Sequence, residues 1–221
     1  MPFGSVTLTP GVNMSFINAL YNLWPHGDQH IHGLRDAMAA QSPVVFPKYG
    51  FTSNLVIAHF IAQISLECGA GTEVEENLSY SAQRMCQVWP SRFPTINAAI
   101  PYAHNPRVLA NKVYNGRMGN VLNSNDGWNY RGRGATQTTG HDGYKALGGK
   151  LNLDLLARPE TVNDPQHFLE CGVADFVLCG CLPWAEADNV AQVTRHLNGG
   201  YTGLSDRIAW LSKWKAALAV A

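Results

Sequence analysis

Apolar residues in this chain recur mostly at the three-and-four spacing of helices and rarely alternate as strands do. The pattern predicts helices at about 13–23, 54–68, 79–88, 106–114, 166–179, 187–197 and 205–219. In the second, Leu55, Ala58, Ile61, Ala62 and Ser65 form a small or apolar stripe; Thr52, Ser53 or Asn54 offers a cap, and Gly69 and Gly71 end it. His59, Gln63 and Glu67 lie on another face, which leaves Glu67 at the C-terminus, where the macrodipole places a carboxylate poorly unless a partner holds it. In the last helix, Ser205 is the expected cap, and Arg207 then falls in a first turn, where a cation calls for a carboxylate partner. Between the helices, residues 115–134 hold five glycines and five asparagines, which predicts an irregular loop or short hairpin in or near a functional cleft. No repeat or heptad is present.

Composition narrows the function classes. The 221 residues make one large domain or two small lobes, with residues 1–50 an N-terminal helical extension packed on the rest. Hydrophobic residues at 46% and charged ones at 14% exclude a disordered chain. Sixteen basic residues balance sixteen acidic ones, so no nucleic-acid or anionic-membrane partner is expected. The longest apolar run, Leu55 to Ile64, is too short to span a bilayer, and the first basic residue is Arg35, so neither stable membrane insertion nor a secretory leader is expected. The expectation is a monomer made in the cytoplasm. Five cysteines without C-x-x-C pairing read as buried reduced thiols.

Two glutamates nine residues apart, Glu67 and Glu76, are the first candidate chemistry. Taken alone, Glu73, Glu75 and Glu76 read as a solvated acidic turn before the next helix. Glycoside hydrolysis, however, needs one carboxyl to protonate the leaving oxygen and a second to activate water, in environments as unlike as a helix end and a polar loop. In the run from Asn129 to Gly140, the glycines of Arg131-Gly132-Arg133-Gly134 permit close backbone approach, and the arginines are expected to pair with the acidic turn. The Asn198-Gly199-Gly200 run reads as a helix C-cap. His26, His30 and His32 near Asp28 read as a polar loop between N-terminal helices, with metal binding the alternative. Of six tryptophans, Trp128 is the best platform for stacking on a sugar, whereas Trp89, Trp184, Trp210 and Trp214 are expected in the core.

Taken together, Glu67 with Glu76-Asn77-Leu78-Ser79-Tyr80-Ser81-Ala82, Trp89-Pro90-x-Arg92-Phe93, Tyr114-Asn115-Gly116-Arg117-Met118-Gly119-Asn120, Tyr130-Arg131-Gly132-Arg133-Gly134-x-x-Gln137 and Asn198-Gly199-Gly200 with Asp206-Arg207 resemble glycoside hydrolase family 19, in its bacteriophage endolysin and lysozyme-like branch. The resemblance runs from about Asn54 to Trp214. It implies a mainly α, two-lobed lysozyme-like fold with a central substrate cleft, and inverting hydrolysis of β-1,4 bonds between N-acetylated amino sugars without a metal or cofactor. By motif, Glu67 would be the general acid, Glu76 the general base and Thr139 a holder of the water. Gln137, Asn198, Trp128 and Tyr130 would bind sugar, and Arg207 would steady the carboxylates. The chain departs from the chitinase branch in reading Leu66-Glu67-Cys68 at the acid, and in its short gap between glutamates. Bacterial cell-wall glycan is therefore the expected substrate, reached after release through the inner membrane. Chitin is the alternative, and a glycan-binding protein without turnover the reading of a different class.

Overall fold

The computed structural model describes residues 14–220. Twelve α-helices appear among them: α1 (Met14–Leu23), α2 (Leu34–Lys48), α3 (Asn54–Glu67), α4 (Ala82–Val88), α5 (Ile96–Ala99), α6 (Pro106–Tyr114), α7 (Asp126–Asn129), α8 (His141–Leu151), α9 (Phe168–Leu178), α10 (Leu182–Glu186), α11 (Val190–Asn198) and α12 (Leu204–Ala217). The described residues form no sheet; isolated bridges join Arg133 to Glu75 and to Thr138. The fold is mainly α and lysozyme-like.

The helix α3 is the axis of the larger lobe. Ser53 caps it by accepting the Val56 N–H, and every residue from Val56 to Ser65 is buried, as expected of a helix enclosed on all sides. Buried residues of α1, α2, α9 and α12 share its core, where Phe46, Phe51, Phe60 and Phe176 meet edge to face or stacked. The Trp24 and Trp214 indoles both donate to Ser65 Oγ, at 2.8 and 2.9 Å, so one hydroxyl ties α3 to α12 and to the chain end of α1. The smaller lobe has its own core of Leu78, Met85, Phe93, Leu109 and Val113, drawn chiefly from α4 and α6. A third cluster, around Tyr130, Tyr144 and Leu147, lies against α9 through Cys171 and Ala174.

Five helices escape the periodicity: the short α5, α7 and α10, and the longer α2 and α8. α2 contains Pro43 and Pro47, which normally interrupt a helix; Pro43 cannot donate to Ala39, and the Ser42 hydroxyl bonds that carbonyl instead, at 2.9 Å. α8 carries Gly143, Gly148 and Gly149, and Gly148 is required because a Cβ there would meet Leu153 O at 2.6 Å. The helix expected over 187–197 is α11, which begins only at Val190, after Asp188 in a left-handed turn (φ 54°); the short α10 before it lies outside the expected range. Ser205 is not a cap: Gly203, with φ 70°, precedes α12, and no side chain caps it. Trp214 is buried as expected, whereas Trp184 is exposed and donates to His196 Nε2 at 3.0 Å. Cys68, Cys171 and Cys181 are buried, and burial pushes the first two thiols up to about 12. α1 and α2 pack into the larger core, and residues 1–13 of the expected extension lie outside the described residues. No described helix is long and apolar enough to cross a membrane.

Candidate active site

Glu67 is the last residue of α3. Beyond it Gly69, Ala70 and Gly71 all have positive φ, which reverses the chain within three residues and returns it toward Glu73–Glu76. At Gly71 a Cβ would lie 2.6 Å from Gly27 O, so the bare backbone lets the 24–33 segment lie directly on this turn. Arg35 fixes that segment through its main-chain and side-chain bonds to Asp28. The result is a cavity of about 440 Å³ lined by Glu67, Glu73, Glu75, Glu76, Asn77, Tyr80, Gln137, Thr72 and His30. Another cavity of about 400 Å³, walled by Phe16, Pro43, Phe46, Phe51 and Ile57, contains no titratable side chain and so no acid–base chemistry.

Each carboxylate has a distinct set of partners. Glu67 accepts from Arg207 Nη2, and the same buried guanidinium donates through Nη1 to Gln63 Oε1 and through Nε to Thr202 O at 3.3 Å. Gln63 in turn donates to Thr194, at 3.2 Å, which locks α3, α11 and α12 around the acid. The carboxylate partner required for Arg207 is thus Glu67. Glu75 is held by both Arg131 and Arg133, as expected of the arginine–glycine turn. Glu76 accepts the Tyr114 hydroxyl at 2.6 Å and the Gly132 N–H at 3.4 Å, while its own N–H donates to Gly132 O at 2.9 Å. Burial and the charge of Glu76 push the Tyr114 hydroxyl pKa up, so it stays a donor at working pH.

Gly132 is the close-approach point. A Cβ there would meet Gln137 Oε1 at 2.8 Å, Thr139 Oγ1 at 3.2 Å and Glu76 Cβ at 3.5 Å, so these three groups converge on bare backbone. Gln137 has φ 54° and donates through Nε2 to Glu73 O and Gly134 O. Thr139 donates to Gln137 O at 2.8 Å. Glu67, Glu76, Gln137 and Thr139 are therefore gathered at one place, with Arg207 behind the first.

Two expected sugar contacts, Tyr130 and Trp128, are engaged elsewhere, and a third, Asn198, sits beside Arg207. Tyr130 is buried, its hydroxyl bonded to Leu156 O at 3.2 Å and its ring against Tyr144 and His141; a core residue cannot touch a polymer. Trp128 sits outside the cavity lined by the glutamates and carries the Arg131 guanidinium 3.6 Å over its ring, so that face is already taken. Asn198 is exposed at the end of α11 and donates at 3.5 Å to Thr202 O, the carbonyl that also accepts from Arg207 Nε, so it lies beside the arginine that holds Glu67. The histidine segment forms a loop between α1 and α2, with Asp28 committed to Arg35, and no metal-holding cluster occurs among the described residues.

Tyr114, His30, Tyr80 and Asn77 reach the site without having been assigned a role there. Tyr114 lay within a family-like motif, but only folding shows what its hydroxyl meets. His30 was read as part of a polar loop, with metal binding the alternative; its place on the cavity depends on Gly27 meeting Gly71.

No family model matches the chain. A protein of Haemophilus influenzae described as a glycosyl hydrolase family 19 domain-containing protein is 35% identical over 187 residues, covering 84% of this chain and 88% of its own. The chain belongs to glycoside hydrolase family 19. Two solved structures share the fold of this family 19 member. One is a chitinase C mutant, at TM-score 0.61 and 18% identity; the other is chitinase C from Streptomyces griseus, at 0.59 and 19%. Each match covers 95% of this chain and 96% of the other. The family 19 protein is thus a glycoside hydrolase, and its substrate is a glycan.

Proposed function

We propose that this family 19 hydrolase is a cell-wall-lytic endolysin that cleaves β-1,4 bonds between N-acetylated amino sugars of bacterial peptidoglycan. The observation that carries the reading is the arrangement of two differently held glutamates on one cavity, Glu67 on Arg207 at a helix end and Glu76 on Tyr114 and Gly132 in a loop. Glu67 gives its proton to the glycosidic oxygen as the bond to the anomeric carbon breaks. Glu76 takes a proton from a water that Thr139 holds, and that water attacks the opposite face of the sugar. Gln137 binds the sugar beside it. The first product is then the α-anomer, which early-time NMR detects; β product or a sugar adduct on Glu76 overturns the inverting mechanism.

The turn from Cys68 to Glu75 favours peptidoglycan over chitin. It links the two glutamates in one tight reversal and adds no loop to lengthen the cleft. The solved structures that share its fold are chitinases, and that observation favours chitin as the second reading. Turbidity loss of outer-membrane-permeabilised bacteria, set beside release of chito-oligosaccharides from chitin, separates the two. Mass spectrometry of the reducing ends then assigns the bond. Chito-oligosaccharide release without lysis overturns the peptidoglycan reading.

A further inference from the structure

The segment carrying Gln137 and Thr139 is fastened from behind by a carboxylate with no assigned part in the chemistry. Asp175, on α9, accepts the hydroxyls of Thr136 at 2.7 Å and Thr138 at 3.0 Å, both on the same oxygen, Oδ2. The two threonines flank Gln137, whose φ of 54° places a non-glycine residue in the left-handed region. Such a conformation is strained for a residue with a Cβ and persists only where the surroundings impose it. The turn's own backbone holds Gln137 weakly: its N–H reaches Gly134 O at 3.4 Å. Gln137 is also held by the Thr139 hydroxyl on its carbonyl at 2.8 Å and by its own Nε2 on Glu73 O at 3.1 Å, and its two neighbours are fixed by their hydroxyls on Asp175 and, at Thr138 O, by the Arg133 N–H at 3.2 Å. Among the described residues no cation pairs with Asp175, and burial raises its carboxyl above the usual aspartate range. A carboxyl kept away from solvent with two short hydroxyl donors and no ion pair contributes little as a surface charge. Its geometric effect is to fix two alternate residues of one turn.

We infer that Asp175 is a positioning residue for hydrolysis: through Thr136 and Thr138 it imposes the left-handed turn at Gln137 and so sets Thr139 and Gln137 against Glu76. The inference rests on the reading of Thr139 as the holder of the attacking water. Asp175 touches neither substrate nor water and acts only through the turn.

Because both donors share one oxygen, Asp175→Asn keeps an acceptor in place, whereas Asp175→Ala removes it. Asp175→Ala is expected to lower kcat at least about tenfold, given that misplacement by about 1 Å can cost about 10² in rate, with KM changed by less than about threefold. Asp175→Asn is expected within about threefold of wild type in kcat. Should Asp175→Ala fail to fold, the Thr136→Val, Thr138→Val double variant removes the same two donors at constant shape and carries the same expectation. Adding Asp175→Ala to that double variant brings no further loss if the three act as one unit. Equal impairment of the Ala and Asn variants, an unchanged kcat in Asp175→Ala, or additive losses overturn the proposal. Thr139→Val is measured alongside. A wild-type kcat there refutes the water-holding role, and the proposal with it; a large loss there with no effect at Asp175 refutes the clamp alone.

Discussion

Arg207→Ala tests the tertiary assembly of the site most directly. The Arg207 side chain is 4% exposed and that of Glu67 17%, and the guanidinium bonds Glu67, Gln63 and the Thr202 carbonyl. Truncation leaves Glu67 and the buried Gln63 oxygen without their donor, whereas Thr202 is exposed and its carbonyl can turn to water. Removing one partner of a buried ion pair costs about 3–5 kcal/mol; the Gln63 bond to a charged donor, about 1.5–3 kcal/mol, falls within that sum. For a chain of this size each kcal/mol lowers Tm by about 2–4 °C, so a drop of about 6–20 °C is expected in calorimetry. The rate should fall by about 10² or more, because the acid loses the fork that aims it and about 1 Å of error is enough for that loss. Arg207→Lys restores a cation but not a fork able to span Glu67 and Gln63, so Tm recovers in part while the rate stays low. An Arg207→Ala protein within about 1 °C and about twofold of wild type would refute the argument.

Glu67→Gln keeps the shape of the side chain and removes its proton, so lytic activity should fall by at least about 10²–10⁴ with an unchanged circular dichroism spectrum; an active, folded variant sinks the assignment. Tyr114→Phe deletes only the hydroxyl that meets Glu76, and kcat should drop about tenfold, as loss of a charged hydrogen bond predicts, with KM little changed; an unaltered kcat shows that the contact does not serve the base. Stability should fall as the medium is acidified. Buried His59, whose Nε2 lies 2.8 Å from Asp188, has its pKa held below the usual 6.5 by desolvation. The unfolded chain therefore takes the proton first, and the neutral histidine's contribution, whole above about pH 6.5, is lost between there and its lower folded value. Asp188, held low by Lys215 and His59 despite its partial burial, gives way in the same direction at more acid pH. A Tm that does not decline from pH 7.5 to 5, or declines equally in His59→Gln, contradicts this linkage.

Much of the molecule was legible from local pattern. The α3 stripe, its cap, the glycine stop and the end position of Glu67 follow from residues within one helix and its flanks. The pairing of the arginine–glycine turn with the acidic turn could be expected from charge alone, and the order of motifs pointed to the family. Where local signals conflict with packing, the tertiary structure decided. α2 forms despite two prolines because its apolar residues are buried in the larger core, chiefly against α9, and Ser42 repairs the lost bond. α8 forms despite three glycines because one of them must admit Leu153 O. An aromatic residue beside a functional loop reads the same whether it faces sugar or core, so Tyr130 and Trp128 could not be sorted until Leu156, Tyr144 and Arg131 were seen to occupy them. Nor does sequence reveal that Tyr114 meets Glu76, that Asp175 fastens the turn around Gln137, or that Gly27 on Gly71 brings His30 to the cavity. These contacts join residues 37 to 44 positions apart, and only the packing of helices around α3 brings them within reach.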